Sequence, residues 1–306
     1  MKRYIISLCA LTVSPLLMAS IASASQDSQS DFSIALETGM ERDSQLTVEE
    51  IDQYEAASDM ATHLQFEAEG DWQATSRLAL KGGYHYTSKS YQDNEDFDLD
   101  IGRVFGDVSY DFSVLTVGAN QHKIDAKLAG DGFLDMTRTG FYAGKLFANS
   151  FYLRAELLDI DKRFDNLSDR DASGDSVATD GYFFFNQGLS FFSLGIEQEE
   201  ETAQVEHFSY DATNYRATFA HEFNWLDKRN RLKLNGRYSS RDYLGIYPEI
   251  EESRADTKNS ISLTWDLFFT DHFSMITRLE QTDADSNLSS ADYDATQLSL
   301  IYRLDI

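Results

Sequence analysis

Four basic residues, Arg231, Lys233, Arg237 and Arg241, sit at odd positions along the stretch "RLKLNGRYSSR". In an extended strand, residues two apart share a face, so all four stand on one side while Leu232, Leu234 and Tyr238 stand on the other. A cationic track of that kind attracts anions and can guide them along a wall. Further bases fall on the polar faces of other strand-like segments: Arg77, Lys81, Arg216, Arg278 and Arg303. Acids share those faces, among them Glu67, Glu69, Glu222, Asp266, Glu280 and Asp305. Two readings follow. The set lines an ion-selective or substrate-guiding constriction, or its opposite charges neutralise one another and fill a polar interior. The residues expected to face that interior are Arg77, Lys81, Arg216, Glu222, Arg231, Lys233, Arg237, Arg241, Asp266, Arg278, Glu280 and Arg303.

Other chemistry finds little support. His63, His85, His122, His207, His221 and His272 are scattered, with neither metal-ligand spacing nor a nucleophile motif nearby. The chain is therefore expected to be non-enzymatic, without a cofactor or a metal site. Acidic clusters such as "DNEDFDLD", "EQEEETAQVE", "EIEESRAD" and "TDADSNLSSADYD" lack the spaced ligand order of a calcium loop, and "SDRDASGD" comes nearest without meeting it. They read as solvated loops, or as bridges through divalent ions to lipopolysaccharide phosphates.

The elements that carry these residues are strands. The last segment, "ATQLSLIYRLDI", alternates strictly, with Thr296, Leu298, Leu300, Tyr302, Leu304 and Ile306 on one side. Period two gives fourteen such segments, beginning with "DFSIALETG" and "THLQFEAEG". The connections between them alternate, long and acidic, then short and tight. That asymmetry fits an outer-membrane barrel, whose turns are short on the periplasmic side and longer outside. The predicted fold is all-β: a transmembrane, up-and-down, antiparallel barrel of fourteen strands. Trp72, Tyr110, Phe112, Phe147, Phe151, Trp225, Phe268, Phe269 and Phe273 lie beside the short turns, and Tyr84, Tyr86, Tyr238 and Tyr243 toward the long ones. Two such bands are expected at the two membrane interfaces.

Composition agrees. There are 16 Tyr, 21 Phe and 3 Trp, too many for a disordered acidic chain, and only two prolines to interrupt strand ladders. Residues 1–24 read as a secretory signal peptide: the basic start "MKR", an apolar run, then "ASA" at Ala22–Ala24. Residues 25–306 form the barrel. Removing the signal takes Lys2 and Arg3 and shifts the formal charge of −26 to −28, which excludes nucleic acid as a partner. It also removes Cys9, the single cysteine, so disulfides are not expected.

Short motifs add a resemblance. "SQLTVEEID" after the first strand, "LAGDGFLD", "RDY" before "YPEIEESRAD", and "SNLSSADYD" before the last strand look like the barrel of the surface lipoprotein assembly modifier class. That resemblance implies a fourteen-stranded outer-membrane barrel and a role in moving or displaying a surface component. In the modifiers a periplasmic helical repeat domain precedes the barrel; here the first strand is expected soon after the cleavage site, and the sequence closes on Ile306 rather than Phe. The expected surroundings are outer-membrane lipid and lipopolysaccharide, with the barrel-assembly machinery and a surface lipoprotein or periplasmic protein as partners. The alternatives are a narrow passive channel for small polar or ionic solutes, or a structural or adhesive role for the acidic loops.

Overall fold

The computed structural model describes residues 29–51 and 53–306. The expected signal segment, residues 1–24, lies outside them. Sixteen strands follow one another along the described chain. The first four are β1 (Gln29–Asp43), β2 (Leu46–Val48), β3 (Gln53–Glu55) and β4 (Asp59–Gln73). Next come β5 (Leu78–Tyr91), β6 (Leu99–Asp111), β7 (Thr116–Leu128) and β8 (Asp131–Phe147). Then follow β9 (Phe151–Phe164), β10 (Ala172–Phe185), β11 (Ser190–Ala203) and β12 (Tyr210–Trp225). The last are β13 (Lys228–Tyr247), β14 (Glu252–Phe268), β15 (Phe273–Ser286) and β16 (Tyr293–Asp305). Fourteen of them close into an antiparallel barrel in which each strand pairs with its neighbours in the chain, and β2 and β3 form a separate small hairpin.

Closure comes from β16 pairing with β1, from Ala35 opposite Asp305 to Asp43 opposite Gln297. Ile34 and Ile306 exchange backbone hydrogen bonds of 3.1 and 2.8 Å, so the strand ladder has no free edge there. The alternation of the last strand is realised as expected. Leu298, Leu300, Tyr302 and Leu304 are between 41% and 51% exposed, whereas Ser299 and Ile301 are buried at 0% and 1%. The same holds around the ring, with Leu36, Leu64, Val104, Phe141, Leu157, Leu194, Leu234 and Leu263 all exposed on the outer face. A continuous apolar belt of this extent is stable only against lipid.

The two interfaces need revision in detail. Trp72, Tyr110, Phe112, Phe147, Phe151, Trp225 and Phe273 are exposed beside the short turns, as a girdle requires. Phe268 is instead on the inward-facing parity of β14 and lies under the guanidinium of Arg229, 4.0 Å from its centroid. Tyr243 is 6% exposed and packs against Tyr210 inside the wall. Parity decides both cases, because a ring near an interface on an inward position cannot reach lipid.

Most of the expected long acidic loops are strand. "LAGDGFLD" is the clearest case: β7 and β8 run on to a two-residue turn at Ala129 and Gly130, both with positive φ (52° and 82°). That turn geometry matches the twist of a hairpin. Acidic residues remain in register there because two solvated faces cost a strand little once its ladder is paired. The outer connections therefore rise from extended strands of 13 to 20 residues, longer than the roughly 9–11 needed to cross a bilayer.

The connection from β1 to β4 behaves differently: it folds into the barrel. Leu46 and Val48 are fully buried and, with Ile51 and Ala57, pack on Tyr91, Phe97, Leu99, Ile124, Ala126, Leu134, Met136 and Ile160. Glu50 of this segment lies 3.4 Å from Lys162 on β9, and Arg170 donates 3.2 Å to the Glu50 carbonyl oxygen. Strand β9 is six steps from β1 in a ring of fourteen, so the segment crosses the outer mouth. This arrangement predicts a labelling pattern. An epitope inserted at Pro248–Glu251, between β13 and β14, should be reached by antibody on intact cells. One inserted at Leu226–Asp227 should be reached only after the outer membrane is opened. Inverted accessibility would reverse the topology.

Candidate functional site

The inner face of the wall holds the chemistry, and strand parity puts it there. On β13 the inward positions are Arg231, Lys233, Asn235, Arg237, Ser239 and Arg241, while Leu232, Leu234 and Tyr238 are exposed outward at 36% to 44%. The track expected from the sequence therefore faces the lumen. Its members differ in their surroundings. Arg231 donates from Nε to Oδ2 of Asp266, 2.6 Å away, and Asp266 is only 4% exposed. Arg241 stacks over the Tyr210 ring at 4.2 Å and donates 3.3 Å to the Tyr243 hydroxyl. Lys233 and Arg237 have no carboxylate within the 4.0 Å of an ion pair among the described residues, and neither has Arg278 on β15. Lys233 and Arg278 both stand opposite Thr264, in register from either side. The field at Lys233 sums contributions from Arg231, Arg278 and Arg237, opposed by that of Asp266, the partner of Arg231.

Lys81, Arg216 and Arg303 are paired. Lys81 lies 2.6 Å from Glu69, which also accepts from His85 at 2.8 Å, and His85 is bonded to Arg103 at 2.6 Å. Arg216 bridges Glu197 at 2.7 Å and Asp180 at 3.2 Å. Arg303 reaches Glu37 at 2.6 Å, Glu67 at 3.0 Å and Asp305 at 2.8 Å, tying three strands across the closure. Glu222 stands opposite Arg231 in register, and Glu280 opposite Ser262. Arg77 is exposed in the turn before β5, where Thr75 Oγ1 accepts from its backbone N–H at 3.2 Å. β5 begins at the next residue, Leu78, so Arg77 stands at the end of the wall rather than along it.

Several lumen residues were not legible beforehand. Lys89 pairs with Glu41 and with Asp43 at 2.7 Å; Lys162 pairs with Glu201 at 2.8 Å; Arg154 pairs with Glu156 at 2.9 Å. Arg138 lies 3.8 Å from Glu197. The signal for Arg154 and Lys162 was present, because both share even positions on β9 with Tyr152 and Glu156 and oppose exposed Leu153 and Leu157. An inward group of aromatics was also missed: Tyr142, Tyr152, Tyr182, Phe184 and Phe191 lie on inward positions of β8 to β11. The hydroxyl ends of two of these rings lie over glycines of the preceding strand, Tyr142 over Gly118 and Tyr152 over Gly144, where any β-carbon would collide.

One serine–histidine contact merits a check for catalysis. Ser190 Oγ lies 2.8 Å from His221 Nδ1, and Asn186 donates to the same oxygen at 3.1 Å. Ser190 is 0% exposed, so its hydroxyl meets no substrate, and the contact fixes the turn between β10 and β11. Among the described residues, no three His, Cys, Asp or Glu side chains converge as metal ligands would.

No family model matches the chain, and no curated protein matches it in sequence. Solved structures do match. OmpT of Vibrio cholerae with its loop L8 deleted, an outer membrane protein, is 10% identical over 91% of this chain and 99% of its own, with a TM-score of 0.53. An anion-selective porin from Comamonas acidovorans is 9% identical over 92% and 100%, with a TM-score of 0.56. In-vitro folded OmpT aligns over 91% and 98% at 10% identity, with a TM-score of 0.52. The shared property is the fold, a barrel of the outer membrane, and the apolar belt is the surface such a barrel turns to lipid. None of the three is a surface lipoprotein assembly modifier, so the resemblance carried by the loop motifs extends to the outer-membrane barrel and no finer.

Proposed function

We propose that the protein is a narrow outer-membrane channel for small solutes, with a preference for anions, and that it is not an enzyme. The observation that carries this reading is the unneutralised set Lys233, Arg237 and Arg278 on one stretch of inner wall. A barrel that needed only to fill its interior would gain by pairing every charge, since an unpaired charge away from bulk water is costly. Arg216, Arg231 and Arg303 are paired in that way. Three cations without an ion-paired acid, on β13 and β15 either side of β14, are what an anion path requires. Strand number leaves both open and closed interiors available, since eight strands are filled by side chains and about sixteen enclose water. The inward segment between β1 and β4 supplies the narrowing. Outer-membrane lipid and lipopolysaccharide would surround the wall on this reading, and the barrel-assembly machinery would insert it.

The purified protein should therefore give small, discrete current steps in a planar bilayer. Absence of any steps would remove the channel, and wide steps like those of an open porin would remove the narrowing.

A further inference from the structure

The inner wall from β9 to β13 carries a feature that charge alone does not use. Tyr152, Tyr182, Phe184 and Phe191 are half-buried on inward positions. Their rings form a run: Tyr152 to Tyr182 at 6.1 Å between centroids, Tyr182 to Phe184 at 6.4 Å and within 10° of parallel, Phe184 to Phe191 at 6.3 Å. Strand register fixes what lies beside them. Phe184 stands opposite Phe191, Phe191 opposite Ala220, and Ala220 opposite Lys233. The adjoining inward row reads Tyr182, Ser193, Thr218, Asn235. The next reads Asp180, Gly195, Arg216, Arg237. An aromatic platform thus meets a floor of small side chains, a row of hydroxyl and amide groups, and two cations without acids. Phe191 and Lys233 are two strands apart, roughly 10 Å along the wall.

We propose that this wall binds sugar acids, with the pyranose ring on Phe184 and Phe191 and the carboxylate on Lys233 and Arg237. Access to the site rests on the channel reading above; the recognition itself does not. The apolar face of a pyranose stacks on an aromatic ring, as flat apolar surfaces do. Its hydroxyls need both donors and acceptors, which Ser193 supplies, with the capacity Thr218 and Asn235 retain after Thr218 donates to Asn235 at 3.1 Å and Asn235 to Ser262 at 3.0 Å. Its carboxylate needs a cation not already neutralised, and Lys233 and Arg237 are that. A neutral sugar would leave the cations unmatched, a small inorganic anion would leave the rings unmatched, and an aromatic carboxylate would leave the hydroxyl row unmatched.

The test is calorimetric titration of the full-length protein in detergent with sodium glucuronate, glucose, sodium acetate and sodium benzoate. Glucuronate should bind at least about tenfold more tightly than the other three. Phe191→Leu should weaken it by about three- to tenfold, and Lys233→Gln should bring it down to the level of glucose. Acetate or benzoate binding as tightly as glucuronate would overturn the proposal. So would unchanged glucuronate affinity in both variants when each still migrates as a folded, heat-modifiable barrel. The titration needs no ion flow. A protein that conducts without binding glucuronate loses this inference alone, and one that binds glucuronate without conducting loses the channel alone.

Discussion

Leu263→Arg and Leu300→Arg are each expected to weaken the assembled barrel by about 2–4 kcal/mol, the cost of a charge at mid-bilayer on the lipid face. Both side chains are exposed outward, at 47% and 43%. Both sit five residues from the periplasmic end of their strands, Phe268 and Asp305, which is the middle of the roughly 9–11 residues that cross a bilayer. Against a total stability of about 5–15 kcal/mol, the double variant removes most of the margin. Its heat-modifiable band should disappear from detergent gels, and each single variant should unfold at lower temperature than the parent. Ser262→Arg is the control. Ser262 is inward, 8% exposed, and directly opposite Glu280, which can pair with the new guanidinium. Loss in Ser262→Arg with tolerance of Leu263→Arg would mean that the faces of β14 have been exchanged.

Excising residues 45–57 in favour of a short Gly-Ser turn is expected to raise single-channel conductance several-fold. The fourteen-strand ladder does not include the excised hairpin, so the barrel closes without it. The hairpin is held inward mainly by apolar contact. Burying Leu46 and Val48 contributes about 1.5–3 kcal/mol each, with less from partly buried Ile51, together more than the tie from Glu50 to Lys162 can, since Lys162 keeps Glu201 at 2.8 Å. Glu50→Gln should consequently leave conductance near that of the parent, while Leu46→Asp/Val48→Asp should approach the excision. Unchanged conductance after excision would place the narrowest point elsewhere on the wall.

The alternation that revealed the barrel is a local property, which is why it was legible. Leu298 to Leu304 face lipid because lipid rewards apolar surface at every second place, and the strand count and closure follow from repeating that pattern. Strand length was not legible, because above the membrane both faces of a strand meet water and the apolar signal vanishes; "LAGDGFLD" looks like a loop and is a hairpin. The inward fold of the β1–β4 connection left only a faint trace, Leu46, Val48 and Ile51 in an acidic stretch, since its partners on β5 to β9 are distant in sequence. Charge pairing was likewise out of reach. Arg231 and Lys233 occupy equivalent places along one strand, yet only Arg231 meets an acid, and that is set by Asp266 on the next strand. Rings at the strand ends read as interface girdles by their position alone; parity separates Phe273, facing lipid, from Phe268, facing inward.

The zero-current potential of the purified protein across a bilayer with a potassium chloride gradient tests the central claim most directly. With Lys233, Arg237 and Arg278 unneutralised, the potential should carry the sign of chloride preference even though the mouth is acidic. The variant Lys233→Glu/Arg237→Glu/Arg278→Glu should reverse that sign, whereas removing a one-to-one pair with Arg154→Gln/Glu156→Gln should leave it unchanged. A parent protein that prefers potassium, or a triple variant with the parent's chloride preference, would contradict the account.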